Sequence, residues 1–314
     1  MTGLRYSVLG AGAIGSIFGA RLQLAGNEVE LLNRSPEHSL AIKQNGLLAH
    51  IDGKSQRIEI SACSVDQASP ADVVIMATKT YHIDSALEQL PNNLHQTPVL
   101  TLQNGLGNGQ RVAKWVGQEY TIEGVTMMPA EFIGPGEVAS SDPAETWIYH
   151  ANGQSSELVD AINNDFNQAG IVCSVTPEIK TRIWQKACFN LAMNALCALT
   201  RGSPGLLQQY PDGKALAHEI ADETLAVAKA SGVTVDAAKV HGLIDYACAN
   251  HSWHKPSMFQ DLEQGRNTEI EALNGYIEKT AQQFGVAVPI NQMLARLVRL
   301  RQVSPVYWDK KPDN

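Results

Sequence analysis

Apolar and polar positions follow two different rhythms along this chain, and the change falls near Thr176-Pro177. Before that point, short apolar runs alternate with helix-like stretches. The runs are Tyr6-Ser7-Val8-Leu9, Glu28-Val29-Glu30-Leu31-Leu32, residues 71–77, residues 97–102 and residues 121–128. Strands spaced by helices predict a parallel sheet with crossover helices. Gly26 ends the first helix, and beyond Met128 the chain passes Ala130 into a hairpin bracketed by Gly134-Pro135-Gly136 and Asn152-Gly153. After Thr176-Pro177 helical periodicity takes over, broken at residues 202–205, at Ser231-Gly232 and from Phe284-Gly285 to Pro289. The pattern therefore predicts an α/β domain over residues 1–176 and an all-α domain over residues 177–314. A binding site is expected in the cleft between them.

The first loop carries the most specific chemistry. Gly10, Ala11, Gly12, Ala13, Ile14 and Gly15 close the first strand and open the first helix. Glycines at this spacing permit a tight turn, a close approach of the backbone to a pyrophosphate, and close packing of helix on strand. The first-turn N–H groups of that helix are free to face an anion. The α/β domain is thus expected to be a Rossmann-like dinucleotide-binding domain. The second strand should end beside the adenosine ribose, where an acidic residue would select the unphosphorylated cofactor. Asn33-Arg34-Ser35 stands there instead. A guanidinium can hold a 2′-phosphate through paired, charge-assisted hydrogen bonds, so NADP (as NADPH) is the expected cofactor. Ligands of open α/β sheets lie beyond the carboxyl ends of the strands, which marks Lys79 and Asn104 as further cofactor contacts.

In the helical half, one segment stands out. Residues 183–196 are apolar nearly all round, yet Lys186, Asn190 and Asn194 recur at every fourth position. Each step drifts by only about forty degrees, so the three share one stripe. Lysine is seldom buried without a partner, and a polar stripe on a buried helix is expected to line a cleft. Hydride delivery to a ketone builds charge on oxygen, which an ammonium stabilises before supplying the proton. Lys186 is the expected proton donor, and the two asparagines offer donors and acceptors to a hydroxylated substrate. A single helix is expected from about Ser257 to Phe284, with Glu269 and Asn274 flanking its apolar stripe and Glu271 solvated. Ser257 follows Lys255-Pro256, where its hydroxyl suits either a substrate carboxylate or an ordinary cap.

Composition narrows the setting. The chain has 314 residues, 44% hydrophobic and 18% charged, with a net charge of -8. That balance fits two globular domains and carries no basic stripe for nucleic acid. The five cysteines form no Cys-x-x-Cys pair, so neither a zinc site nor a disulfide framework is expected. No basic-then-apolar leader and no spanning run is read, and the expected location is cytoplasmic.

Taken in order, Gly10 to Gly15, Arg34, Lys79-Thr80, Gln103-Asn104-Gly105-Leu106-Gly107, Trp184-x-Lys186-x3-Asn190-x3-Asn194, Pro256-Ser257-Met258-x2-Asp261 and Thr268-Glu269-Ile270 resemble the ketopantoate reductase family. The likeness runs from the first strand to Val288-Pro289. It implies NADPH-dependent reduction of 2-dehydropantoate to pantoate, on the route to pantothenate and coenzyme A. By position, Lys186 resembles the family's proton donor, and Asn190, Asn194 and Ser257 its substrate contacts. Gly10 to Gly15, Arg34, Lys79, Asn104, Ala130 and Glu269 resemble its cofactor contacts, with Asn104 and Glu269 expected where cofactor and substrate meet, to serve both. The chain departs from some members at Gly202-Ser203-Pro204, at His254 and over residues 145–149. Another 2-oxo acid, a 3-hydroxyacid dehydrogenase-like activity, or a non-catalytic NADP sensor are the alternative readings. The expected partner is a small-molecule 2-oxo acid, with neither nucleic acid nor membrane, and a homodimer is allowed but not required.

Overall fold

Central strands whose every residue is apolar need cover on both faces, and the first part of the chain builds such a sheet. In the computed structural model, which describes residues 3–141 and 144–309, the strands are β1 (Arg5–Leu9), β2 (Glu28–Leu32), β3 (Leu47–Ile51), β4 (Lys54–Ile58), β5 (Ser61–Cys63), β6 (Val73–Met76), β7 (Val99–Thr101), β8 (Thr121–Thr126), β9 (Glu131–Gly134), β10 (Glu137–Ala139), β11 (Thr146–His150) and β12 (Cys173–Val175). The main sheet runs β12-β11-β8-β7-β6-β1-β2-β5 among the described residues. All neighbours in it are parallel except β8 and β11. Successive strands are laid outward from β1 in both directions, so the chain changes its direction of travel at β1 and β6. In such sheets the crevice beyond the carboxyl ends at this point takes the ligand.

Helices α1 (Ala13–Leu24), α2 (Pro36–Asn45), α3 (Ile83–Glu88), α4 (Asn108–Val116) and α5 (Glu157–Gln168) accompany the sheet. Ile17, Phe18 and Leu22 of α1 pack with Tyr6 and Val8 of β1 and with Phe166 of α5 in one core. A second, four-stranded sheet, β4-β3-β10-β9, was not foreseen. Its β3–β4 hairpin turns on Asp52-Gly53, both at positive φ (53° and 71°), as a two-residue hairpin favours. The bracketed hairpin also needs correction. The turn at Gly134-Pro135-Gly136 joins β9 to β10 in the second sheet, whereas residues 146–150 form β11, antiparallel to β8 in the main one.

The remaining helices are α6 (Ile179–Thr200), α7 (Pro204–Gln209), α8 (Pro211–Ala230), α9 (Ala237–Asn250), α10 (Ser257–Glu263), α11 (Asn274–Phe284) and α12 (Pro289–Asp309). Leu191, Ala195, Ile220, Val227, Ile244, Ile277 and Val298 share their core. The chain divides into two compact units, residues 1–103 with 107–179, and residues 104–106 with 180–314. The single helix expected from Ser257 to Phe284 is in fact two, separated by a 3-10 turn at Ile270–Ala272. Gly265 at φ 64° terminates α10, and the Arg266 N–H closes the turn onto the Asp261 carbonyl at 2.8 Å. The Arg266 guanidinium also binds the buried Asp261 carboxylate at 2.8 Å, which fixes the chain in its new direction.

Candidate active site

In the α/β unit the glycine loop leaves β1 and turns at once. Gly10 adopts φ 103°, and a Cβ there would lie 2.7 Å from the Thr78 Cα just beyond β6. A Cβ on Gly15 would collide with the Gly10 carbonyl, so α1 can pack on the loop only without one. Gly12 differs, because a Cβ on it would meet no atom within 4 Å. The backbone is therefore bare on the side where a ligand would approach. Gly10 and Ala11 N–H groups both donate to the Leu32 carbonyl, at 2.9 and 3.2 Å, which ties the loop to the end of β2. The first intrahelical bond of α1 is Ser16 N–H to the Gly12 carbonyl. Donors ahead of it, on Ala13, Ile14 and Gly15, lie where a helix supplies no internal acceptor. This arrangement fits a dinucleotide pyrophosphate.

Arg34 follows β2 and is exposed. Its guanidinium stands 3.0 Å from His82 Nε2. His82 ends the 3-10 turn Thr80–His82, which starts directly after the half-buried Lys79. Burial, and then the Arg34 charge, push the His82 imidazole below its usual range, so it is neutral and accepts from Arg34. The structure thus brings Arg34 and the segment after Lys79 together. His82 was missed by the sequence reading. Its only signal is its place three residues beyond Lys79. Gln103 locks the neighbouring strand ends, since its amide donates to the Thr78 carbonyl at 2.8 Å and accepts from the Thr101 hydroxyl at 3.0 Å. Ala130 is half-buried between β8 and β9, packed against the core of this unit.

In the helical unit, α6 is buried nearly all round: Trp184, Ala187, Cys188, Leu191, Ala192, Met193 and Ala195 are all inside. Lys186 and Asn190 are half-buried, and Asn194 is only 7% exposed. Steps of four residues on one helix space the three by about 6 Å each. Burial lowers the Lys186 ammonium to about 8, and the charge of Glu269 partly opposes that fall. Glu269 belongs to no long helix. It precedes the 3-10 turn at Ile270–Ala272 and is buried. Thr268 beside it is held by Gln302, whose side-chain oxygen accepts from the Thr268 N–H at 2.7 Å and from its hydroxyl at 2.6 Å. The Ala272 N–H donates to the Glu269 carbonyl at 3.0 Å, and the Ala272 carbonyl accepts from Leu106 N–H at 2.8 Å. The loop carrying Asn104 is therefore tied to the turn carrying Glu269. Gly105, at φ 90°, permits that approach, since a Cβ would sit 2.6 Å from the Ala272 carbonyl.

Ser257 is exposed as the first residue of α10, with Pro256 as the cap. Pro256 rather than the serine occupies the N-cap position, and it makes no side-chain capping hydrogen bond. Glu271 is half-exposed yet not merely solvated: it binds Arg299 at 2.6 Å and Lys279 at 3.6 Å. All five cysteines are buried. Among the described residues, no group of three or more His, Cys, Asp or Glu could hold a metal ion. No described helix is long and apolar enough to cross a membrane.

Two family models match the chain: "Ketopantoate reductase PanE/ApbA" over residues 6–153 and "Ketopantoate reductase PanE/ApbA C terminal" over residues 178–302. A 2-dehydropantoate 2-reductase of Halobacterium salinarum is 32% identical over 301 residues, covering 95% of this chain and 99% of the relative. Among solved structures, a D-mandelate dehydrogenase in ternary complex with NADH and anilino(oxo)acetate superposes with a TM-score of 0.90 at 28% identity, covering 96% of this chain and 99% of the other. A PanE/ApbA family ketopantoate reductase from Ralstonia eutropha gives 0.87 at 29% identity, with the same coverage. The α/β unit with its glycine loop, the helical unit with its lysine stripe and these full-length likenesses lead to one assignment: the chain belongs to the ketopantoate reductase family and is an oxidoreductase.

Proposed function

We propose that this chain reduces the ketone of a 2-oxo acid with NADPH, and that the acid is 2-dehydropantoate, giving pantoate. The observation that carries the reading is Lys186, an ammonium lowered to about 8 by burial on a helix stripe it shares with Asn190 and Asn194. The names of the curated relatives support the substrate. Gly10 to Gly15, Arg34, Lys79, Asn104, Ala130 and Glu269 are the residues proposed to hold the cofactor, which when bound supplies the hydride. Lys186 stabilises the oxygen as charge develops there and gives it a proton, leaving a neutral amine that regains its proton from water. Asn190 and Asn194 orient the substrate through amide donors and acceptors, and Ser257 receives its carboxylate. The proposed setting is cytoplasmic.

A second reading keeps the 2-oxo acid and changes its side chain and cofactor. The likeness to a D-mandelate dehydrogenase solved with NADH and anilino(oxo)acetate favours it. Oxidation of NADPH and of NADH, followed against a panel that includes ketopantoate and phenylglyoxylate, separates the two. Ketopantoate with NADPH is expected to give the highest kcat/KM, and a clear preference for phenylglyoxylate with NADH would replace this reading by the second. The pH profile supplies a further prediction. Reduction needs the protonated form of Lys186, whose pKa is lowered, so turnover should be full below about 8 and fall as pH rises through it. The reverse oxidation, which needs the neutral amine, should rise over the same interval. A reduction rate that climbs across this range would contradict the assignment.

A further inference from the structure

Behind the glycine loop lies a buried histidine that the reduction does not use. His38, on α2, is 2% exposed, and Ser16, on α1, is wholly buried. The Gly136 N–H donates to His38 Nδ1 at 2.8 Å, so that nitrogen carries a lone pair. The neutral ring then holds its proton on Nε2, which faces the Ser16 hydroxyl oxygen at 3.4 Å. Ser16 in turn donates its own proton to the Ala11 carbonyl at 3.2 Å. Every donor in this chain points the same way, from Gly136 through His38 and Ser16 to Ala11. Burial favours the neutral imidazole the chain requires, holding His38 below its usual range.

The two ends of the chain are informative. Gly136, at φ 77°, is the turn of the β9–β10 hairpin, and its carbonyl accepts from Leu48 N–H of β3 at 2.8 Å. Ala11 is in the nucleotide loop, and its peptide link to Gly12 sets the direction in which the backbone enters α1. A helical serine ordinarily returns its hydroxyl to the carbonyl three or four residues back. Ser16 reaches five back, outside the helix. We infer that His38 is a positioning residue for the dinucleotide: through Ser16 it fixes the Ala11–Gly12 peptide, anchoring the phosphate-facing loop to the second sheet. The inference rests on the proposal that this loop binds a nicotinamide dinucleotide.

Ser16→Ala removes the last link with the loss of one oxygen, and His38→Phe keeps a buried ring while removing both nitrogens. NADPH and NADH binding to the purified protein is measured by calorimetry, alongside steady-state kinetics and melting temperature. The dissociation constant for the dinucleotide that wild type binds should rise about two- to tenfold in Ser16→Ala, as for a lost buried hydrogen bond. The loss should fall on the cofactor KM rather than on kcat. His38→Phe should show a similar loss, and the double variant should be no worse than the poorer single one, because both break one chain. Unchanged affinity in Ser16→Ala overturns the inference, as do losses that add in the double variant. If His38→Phe fails to fold, Ser16→Ala alone decides. Wild-type protein that binds neither NADPH nor NADH overturns the nucleotide reading, and this inference with it.

Discussion

Lys186→Ala is expected to lower kcat for ketopantoate reduction by about 10²–10⁴, the usual contribution of a positioned proton donor. The size follows from where the lysine sits. Burial has brought its ammonium down to about 8, close to the range where giving and regaining a proton are both easy. Alanine leaves water to protonate the developing alkoxide and removes the charge that stabilises it. The KM for the keto acid should also rise, because the same ammonium meets the ketone oxygen. NADPH affinity should hold, since the residues proposed for the cofactor's phosphates are in the other unit. Fluorescence titration with NADPH and single-turnover reduction check both halves together. Normal cofactor binding with near wild-type turnover would remove Lys186 from the mechanism, and an unfolded variant would mark it as structural.

Arg34→Ala should raise the KM for NADPH roughly ten- to hundredfold, because a charge-assisted hydrogen bond contributes about 1.5–3 kcal/mol. The 2′-phosphate lies far from the transferred hydride, so the lost energy is uniform binding and falls on KM. The structure sharpens this expectation. Arg34 donates to a neutral His82 at 3.0 Å, which orients the guanidinium without neutralising it. The discriminating measurement is the ratio of kcat/KM for NADPH to that for NADH. It should collapse in the variant, and a ratio equal to wild type would show that Arg34 does not read the phosphate.

How much of this could be read from residues alone depended on how local each feature is. The Gly10–Gly15 loop was legible because strand, turn and helix follow one another within a dozen positions, and Gly15 answers a local steric demand, the closeness of the Gly10 carbonyl. The stripe on α6 was legible because a helix fixes the angle between positions four apart. The second sheet was not foreseen, although Leu47, Ala49 and Ile51 alternate and Asp52-Gly53 is a hairpin turn. Its completion by β10 comes from nearly ninety residues further along the chain, and no periodicity reports such a pairing. The break after Glu263 was hidden for a related reason. Apolar residues continue at helical spacing beyond Gly265, while the left-handed glycine and the bond from exposed Arg266 to the buried Asp261 carboxylate redirect the chain. His82, beyond β6, meets Arg34, beyond β2, across the intervening β1, so its partnership too belongs to the fold and not to any segment.

Whether the protein is a 2-oxo acid reductase is decided by a single-turnover experiment on the wild-type protein. Enzyme loaded with NADPH is mixed with ketopantoate, and the oxidised cofactor and the pantoate formed are both quantified. One pantoate is expected for each NADPH consumed, with the rate falling as pH passes above about 8. Stable NADPH binding with no oxidation by ketopantoate or any other 2-oxo acid would contradict it and leave a protein that senses the cofactor without using it.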